Sequence, residues 1–114
     1  MSNDKAIKEI ELNIQQAKTL VESGTALDRL RSNRDFQLVI NKGYFEQESI
    51  RLVHLKADHN MQSNESQLSI VKQMDAIGTL SQYFQTVYHH AAMAEKAMEA
   101  DEQTRAELAA EELA

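Results

Sequence analysis

The 114-residue chain contains no proline, no cysteine, no tryptophan and only three glycines. Proline breaks helix interiors and glycine weakens them, so a chain almost without either can run as long helices with few forced stops. The missing cysteine excludes disulfides and thiolate metal sites, and it fits a cytoplasmic product. No apolar run approaches the ~20 residues needed to cross a bilayer, so no membrane partner is expected. The opening Met1-Ser2-Asn3-Asp4-Lys5 has no hydrophobic signal core, and the protein is expected to stay where it is made. No Gly-rich phosphate loop, serine elbow or HExxH motif occurs, so neither an enzyme nor a cofactor is expected.

What is present points to helices. Apolar residues recur at three- and four-residue steps rather than alternating, which predicts an all-α chain. Hydrophobic residues make up 42% and the mean hydropathy is −0.52. The length implies one core-forming domain that buries roughly two-thirds of its unfolded surface. Such a modest core predicts at least one helix that projects from it or packs on a partner.

The charge is unevenly placed. From Glu95 to Ala114 seven acids face Lys96 and Arg105, a net of −5, while the rest of the chain carries −1. An acidic balance argues against phosphate-backbone binding, which needs clustered Lys and Arg, so a nucleic-acid partner is not expected. The densest basic patch is Arg29, Arg31 and Arg34, with no aromatic before Phe36. It reads as a solvated face or a protein-contact patch.

Four helical segments separate along the chain. Ile7, Ile10, Ile14, Ala17 and Val21 form a seam on a first helix from about Asp4 to Ser23. Gly24 suits the left-handed stop after it, and Thr25 is placed to cap a short turn over 26–31. Ser32 or Asn33 can cap a second helix carrying Phe36, Val39 and Ile40. Gly43 either ends or bends that helix. A third segment holds Ile50, Leu52, Val53 and Leu55 over a wide apolar arc, and Asp58 to Asn64 reads as a loop. Asn64, with Gln67 three residues on, matches a capping box for the last helix. There Ile70, Met74, Ile77, Ser81, Phe84, Tyr88 and Ala91 keep a heptad-like step, and Gly78, set among good helix formers, marks either a close helix–helix approach or a locally weakened turn. Beyond 94 the stripe thins to Ala94, Met98, Leu108 and Leu113. The architecture expected is a three- or four-helix bundle over 1–94 with an extended C-terminal helix, the acidic Ala/Glu-rich tail 95–114.

Candidate chemistry is sparse. His54 and Asp58 share a helical face if the helix persists, whereas neighbouring His89 and His90 point about 100° apart and cannot both face one ion. No spacing fixes a third ligand, so these histidines read as structural or exposed and no metal is expected. Tyr44, Phe45, Tyr83, Phe84 and Tyr88 can in principle stack on a base, but beside Leu and Ile they read as core. Tyr83 falls off the heptad face and is expected to be exposed. Met61 and Met93 suit contact surfaces because methionine adapts to irregular ones.

The stretch from Ala26-Leu27-Asp28-Arg29-Leu30-Arg31-Ser32-Asn33-Arg34-Asp35-Phe36, with Gly43-Tyr44-Phe45 and then Arg51-Leu52-Val53-His54-Leu55-Lys56-Ala57-Asp58, resembles small helical proteins encoded by tailed bacteriophages. Ala76-Ile77-Gly78 and Tyr83-Phe84 are similar to the same group, and the resemblance covers roughly residues 5–90. None of these motifs is catalytic. The resemblance implies a phage protein of the virion or its assembly pathway, found in the virion or the host cytoplasm.

The residues thus suggest a non-enzymatic protein acting through helix-mediated contacts, as a homo-oligomer or on a phage structural protein. Candidate partner-binding residues are Arg29, Arg31, Arg34, Tyr83, Met93, Met98 and Leu108. Truncation at Met93 is expected to leave a folded protein that no longer assembles. The alternative is a counter-defence or regulatory protein that binds a host enzyme or sequesters a nucleotide signal through Arg29, Arg31, Arg34 and Tyr83. An enzyme would require His54, His59 and Asp58 to converge on a metal.

Overall fold

The computed structural model describes residues 3–114 and is almost entirely helical, with no strand among the described residues. Helix α1 spans Asp4–Ser32. A helical run follows, made of a short α2 (Arg34–Phe36), a π-helix π1 (Gln37–Glu48) and α3 (Ser49–Ala57), and then α4 covers Asn64–Leu113. The fold is therefore all-α with a long C-terminal helix, as the scarcity of proline and glycine predicts. The chain divides into two compact units. The first joins residues up to Leu27 with Thr86–Ala114, and the second is Asp28–Gln85.

In the first unit α1 and α4 run antiparallel. The Asn3 side-chain amide donates to the Leu108 carbonyl and to the Glu111 carboxylate, both at 3.3 Å. At the other end Gly24 meets Ala91 so closely that a Cβ at 24 would lie 2.6 Å from the alanine methyl. Ile14, Ala17, Gly24, Leu27 and Ala94 are buried, and Ile7, Ile10, Val21, Met98 and Leu108 are half-buried. Both seams shorten their 3-4 alternation to 3-3 at this contact, through Val21-Gly24-Leu27 and Tyr88-Ala91-Ala94. Such a step locally overwinds paired helices.

Two expectations fail here for one physical reason. Gly24 does not stop α1, which continues to Ser32, and no glycine has a positive φ. Thr25, expected to cap a new turn, lies inside the helix and returns its hydroxyl to the Val21 carbonyl at 3.1 Å. The absent side chain at 24 serves helix approach rather than a left-handed turn. The segment beyond 94 also packs on α1, through the half-buried Met98 and Leu108. Truncation at Met93 would therefore strip the cover from the first half of α1 instead of leaving the remainder intact.

The second unit folds around a corner at each end of the α2–π1–α3 run. Asn33 leaves the helix (φ −66°, ψ 130°), and its Oδ1 accepts from the amides of Asp35 at 2.9 Å and Phe36 at 3.1 Å, as the capping rule predicts. At the far corner the expected capping box is replaced. Ser63 Oγ accepts from the Ser66 amide at 3.1 Å. Gln67 instead spans the loop, donating to the carbonyls of Lys56 at 3.0 Å and Met61 at 2.8 Å. Leu52, Ile70 and Ile77 form the buried cluster, with Tyr44, Phe45, Leu55, Met61 and Met74 packed around it.

Gly43 does not end the second helix, which runs through it. Residues 37–48 follow a π turn, with helical backbone angles at Phe36 and Ser49 on either side. A π turn hydrogen-bonds five residues back and widens the helix. A Cβ at 43 would sit 3.3 Å from the Leu38 carbonyl oxygen, five residues earlier, so glycine relieves crowding in the widened turn. Arg51 clasps Glu48 where the helix narrows again, its Nε 3.1 Å from each carboxylate oxygen. Those hydrogen bonds hold the Glu48 carboxyl below its ordinary range.

α4 passes through Gly78 unbroken, and a Cβ there would touch nothing within 4 Å, so this glycine does not mark a close helix–helix approach. Alanine is favoured over glycine in a helix interior by about 1 kcal/mol. Gly78→Ala should therefore raise stability by about that amount in chemical denaturation; a loss would mean that α4 needs flexibility at this turn.

Candidate functional site

The second unit holds a cleft of about 660 Å³ between π1 and the neighbouring turns of α1 and α4. Arg31 enters from the end of α1, Asn41 and Phe45 from π1, and Gly78, Ser81 and Phe84 from α4. The Arg31 guanidinium carbon lies 5.5 Å from the Phe84 ring centre. Phe45 meets Phe84 edge-on at 5.9 Å, and Phe36 packs beside the same ring at 6.1 Å. Edge-on and tilted rings place positive edges against negative faces, and the guanidinium is attracted to the same face. Phe45 and Phe84 form one wall of the cleft.

Asn41 is the unusual member. Its Oδ1 is buried and accepts no hydrogen bond. A buried acceptor without a donor costs about 1–3 kcal/mol, so such groups rarely persist without a use. A second groove, lined by Arg34, Gln37, Leu38 and Lys42, shares Asn41 and Glu46 with the cleft. Three cations, Arg31, Arg34 and Lys42, and one carboxylate, Glu46, thus border a continuous surface over π1.

The first unit carries a different surface. Leu20 and Met93 stand 42% and 54% exposed beside the small side chains of Ala17, Ala94 and Ala97. Asn13, Gln16 and His90 complete this groove, which no charged side chain lines.

The sequence candidates are distributed as follows. Arg31 and Arg34 reach the cleft and its neighbouring groove; Arg29 is exposed in the last turns of α1 and lines neither. Tyr83 is 61% exposed, as its position off the heptad face predicts, with its ring 6.3 Å from Phe84. Met93 lines the groove of the first unit, whereas Met98 and Leu108 are half-buried and do not line it. His54 and His59 are exposed, and α3 ends at Ala57, so the helix that would align His54 with Asp58 does not persist. His59 Nδ1 lies 3.9 Å from the Asp58 carboxylate with its side chain 91% exposed. Among the described residues no three His, Asp or Glu side chains are grouped to hold a metal ion, and no helix is long and apolar enough to cross a membrane.

Asn41 and Glu46 have no signal in the sequence, because each looks ordinary on its own helix; Gly78 stands out there as a glycine among helix formers, with no sign that it lines a cleft. Only the orphaned amide and the π turn mark the first two. The chain matches no protein family, no curated protein and no solved structure.

Proposed function

We propose that the chain is a non-enzymatic assembly protein that self-associates through helix-mediated contacts. The observation that carries this reading is the uncharged groove of the first unit. Leu20 and Met93 project as knobs beside the holes left by Ala17, Ala94 and Ala97. A second copy related by a two-fold axis would seat its knobs in those holes, since an isologous contact uses one patch twice. A chain of net charge −6 repels its own copies, and this face brings no carboxylate to the contact.

Two helices alone cannot enclose a core. Among its described residues the first unit buries only Ile14, Ala17, Gly24, Leu27 and Ala94, so a paired copy would complete a four-helix bundle. With the resemblance to small helical phage proteins, this supports a minor virion component or assembly factor.

Sedimentation of the purified chain should show a dimer or higher species. Leu20→Glu and Met93→Glu should each give a monomer with helical content unchanged, because both positions are exposed within the protomer. A wild-type chain that stays monomeric at high concentration overturns the reading.

A further inference from the structure

We propose that the cationic surface over π1 docks the acidic outer face of α4 of a second copy, joining copies head to tail. The contact uses neither Leu20 nor Met93, so it stands or falls separately from the uncharged groove of the first unit.

Charge is the first argument. Across residues 28–42, Arg29, Arg31, Arg34 and Lys42 outnumber Asp28 and Asp35, a net of +2 in a chain whose formal charge is −6. Arg34 and Lys42 line one groove, four residues to either side of Leu38, which stands 61% exposed between them. Both cations are exposed, and neither forms an ion pair among the described residues. Glu46 is the one carboxylate in this lining.

The surface that fits the groove lies beyond Ala94. Glu95, Glu99 and Glu102 repeat at steps of four and three, which places them on one face of α4. The same stepping continues through Ala106, Ala109 and Leu113, and all six residues are exposed. The carboxylates therefore adjoin an apolar strip, as the two cations adjoin Leu38. Met93 and Glu102 are nine residues apart, about two and a half turns, so the acidic face points away from the groove that Met93 lines. One chain is able to engage a copy at each place.

Net repulsion between copies does not prevent the contact. Charges more than about 8–10 Å apart are largely screened near physiological salt, so the surfaces that meet decide the sign. A phosphate backbone suits the groove less well. Its affinity comes from many clustered cations, whereas here two stand beside a carboxylate and an exposed leucine. Exposed ion pairs are individually weak, so this contact is weak and sensitive to salt. Because it joins two different surfaces, it leaves one of each unused at the ends, and copies extend into chains or rings.

Sedimentation velocity of the full chain, from low ionic strength to about 1 M salt, tests the contact. Large species at low salt should shrink as salt rises, and what remains at high salt reports on the groove of Leu20 and Met93 instead. Arg34→Glu with Lys42→Glu, or Glu99→Lys with Glu102→Lys, should each weaken the low-salt association at least about tenfold. Helical content should be unchanged in both, since all four side chains are exposed. Each variant alone carries like charge on its two surfaces. An equal mixture of the two restores opposite charges and should associate again. Glu46→Gln should tighten the contact. Absent or salt-independent growth, undiminished association in either variant, or a mixture that stays apart would each overturn the proposal. So would an oligonucleotide that binds the chain through Arg34 and Lys42 while the copies show no salt-sensitive growth.

Discussion

Leu52→Ala should cost the protein about 2–5 kcal/mol of stability, the range for truncating a fully buried leucine. Leu52 is 0% exposed and shares its cluster with Ile70 at 1% and Ile77 at 8%. Removal of its branched end takes away apolar transfer energy and leaves a cavity whose walls come from π1, α3 and α4. Met61 and Met74 border that cluster, and their flexible thioethers can lean into the space, which places the loss toward the lower end of the range. Even the lower end is a large share of the 5–15 kcal/mol that holds a typical domain folded. The melting temperature followed by far-UV circular dichroism should fall by at least about 8 °C. A shift below about 0.5 kcal/mol would show that Leu52 is not the centre of the second unit's core.

Gly24→Ala should destabilise the chain even though alanine is the better helix former. In an exposed helix the substitution gains about 1 kcal/mol. Here the new methyl would lie 2.6 Å from the Ala91 methyl, well inside contact distance, and both atoms belong to helices that cannot move apart locally. Separating α1 from α4 would loosen the packing of Ile14, Ala17 and Ala94 along the same seam. Overpacking of this kind costs about 1–3 kcal/mol, so a net loss is expected after the propensity gain. The double variant Gly24→Ala with Ala91→Gly moves the methyl from one helix to the other and should recover most of that loss. Gly78→Ala, in open space, is the matched control of opposite sign. Thermal melts of the four proteins decide the matter, and a stabilised Gly24→Ala single variant would refute the close approach.

Much of the fold was legible because helix-forming composition and buried spacing agree. Ile14 and Ala17 are buried on the seam read from 7 to 21, and Ile70, Ile77 and Phe84 are buried on the heptad read from 70 to 91. Asn33 caps the helix it was expected to cap. The failures share a cause, since each residue has a common local use and a rarer tertiary one. Gly24 serves helix contact where a helix end was expected, and Gln67 spans a loop where a capping box was expected. The π turn left no trace, because twelve residues are too few for its wider period to shift the apolar pattern visibly. Of the cleft and its adjoining groove only Arg31 and Arg34 were singled out as binding residues, since residues 31–46 and 77–85 become neighbours only after the corners at Asn33 and 58–63 are formed.

The bond from the Asn3 amide to the Leu108 carbonyl brings the start of α1 beside the last turns of α4. A few glycine and serine residues would span from one to the other, and the exposed corner at 58–63 offers a place to open the backbone instead. The order in which the segments are strung is thus separable from the way they pack, and a circularly permuted chain beginning at Asn64 and closing at Ser63 should reach the same architecture.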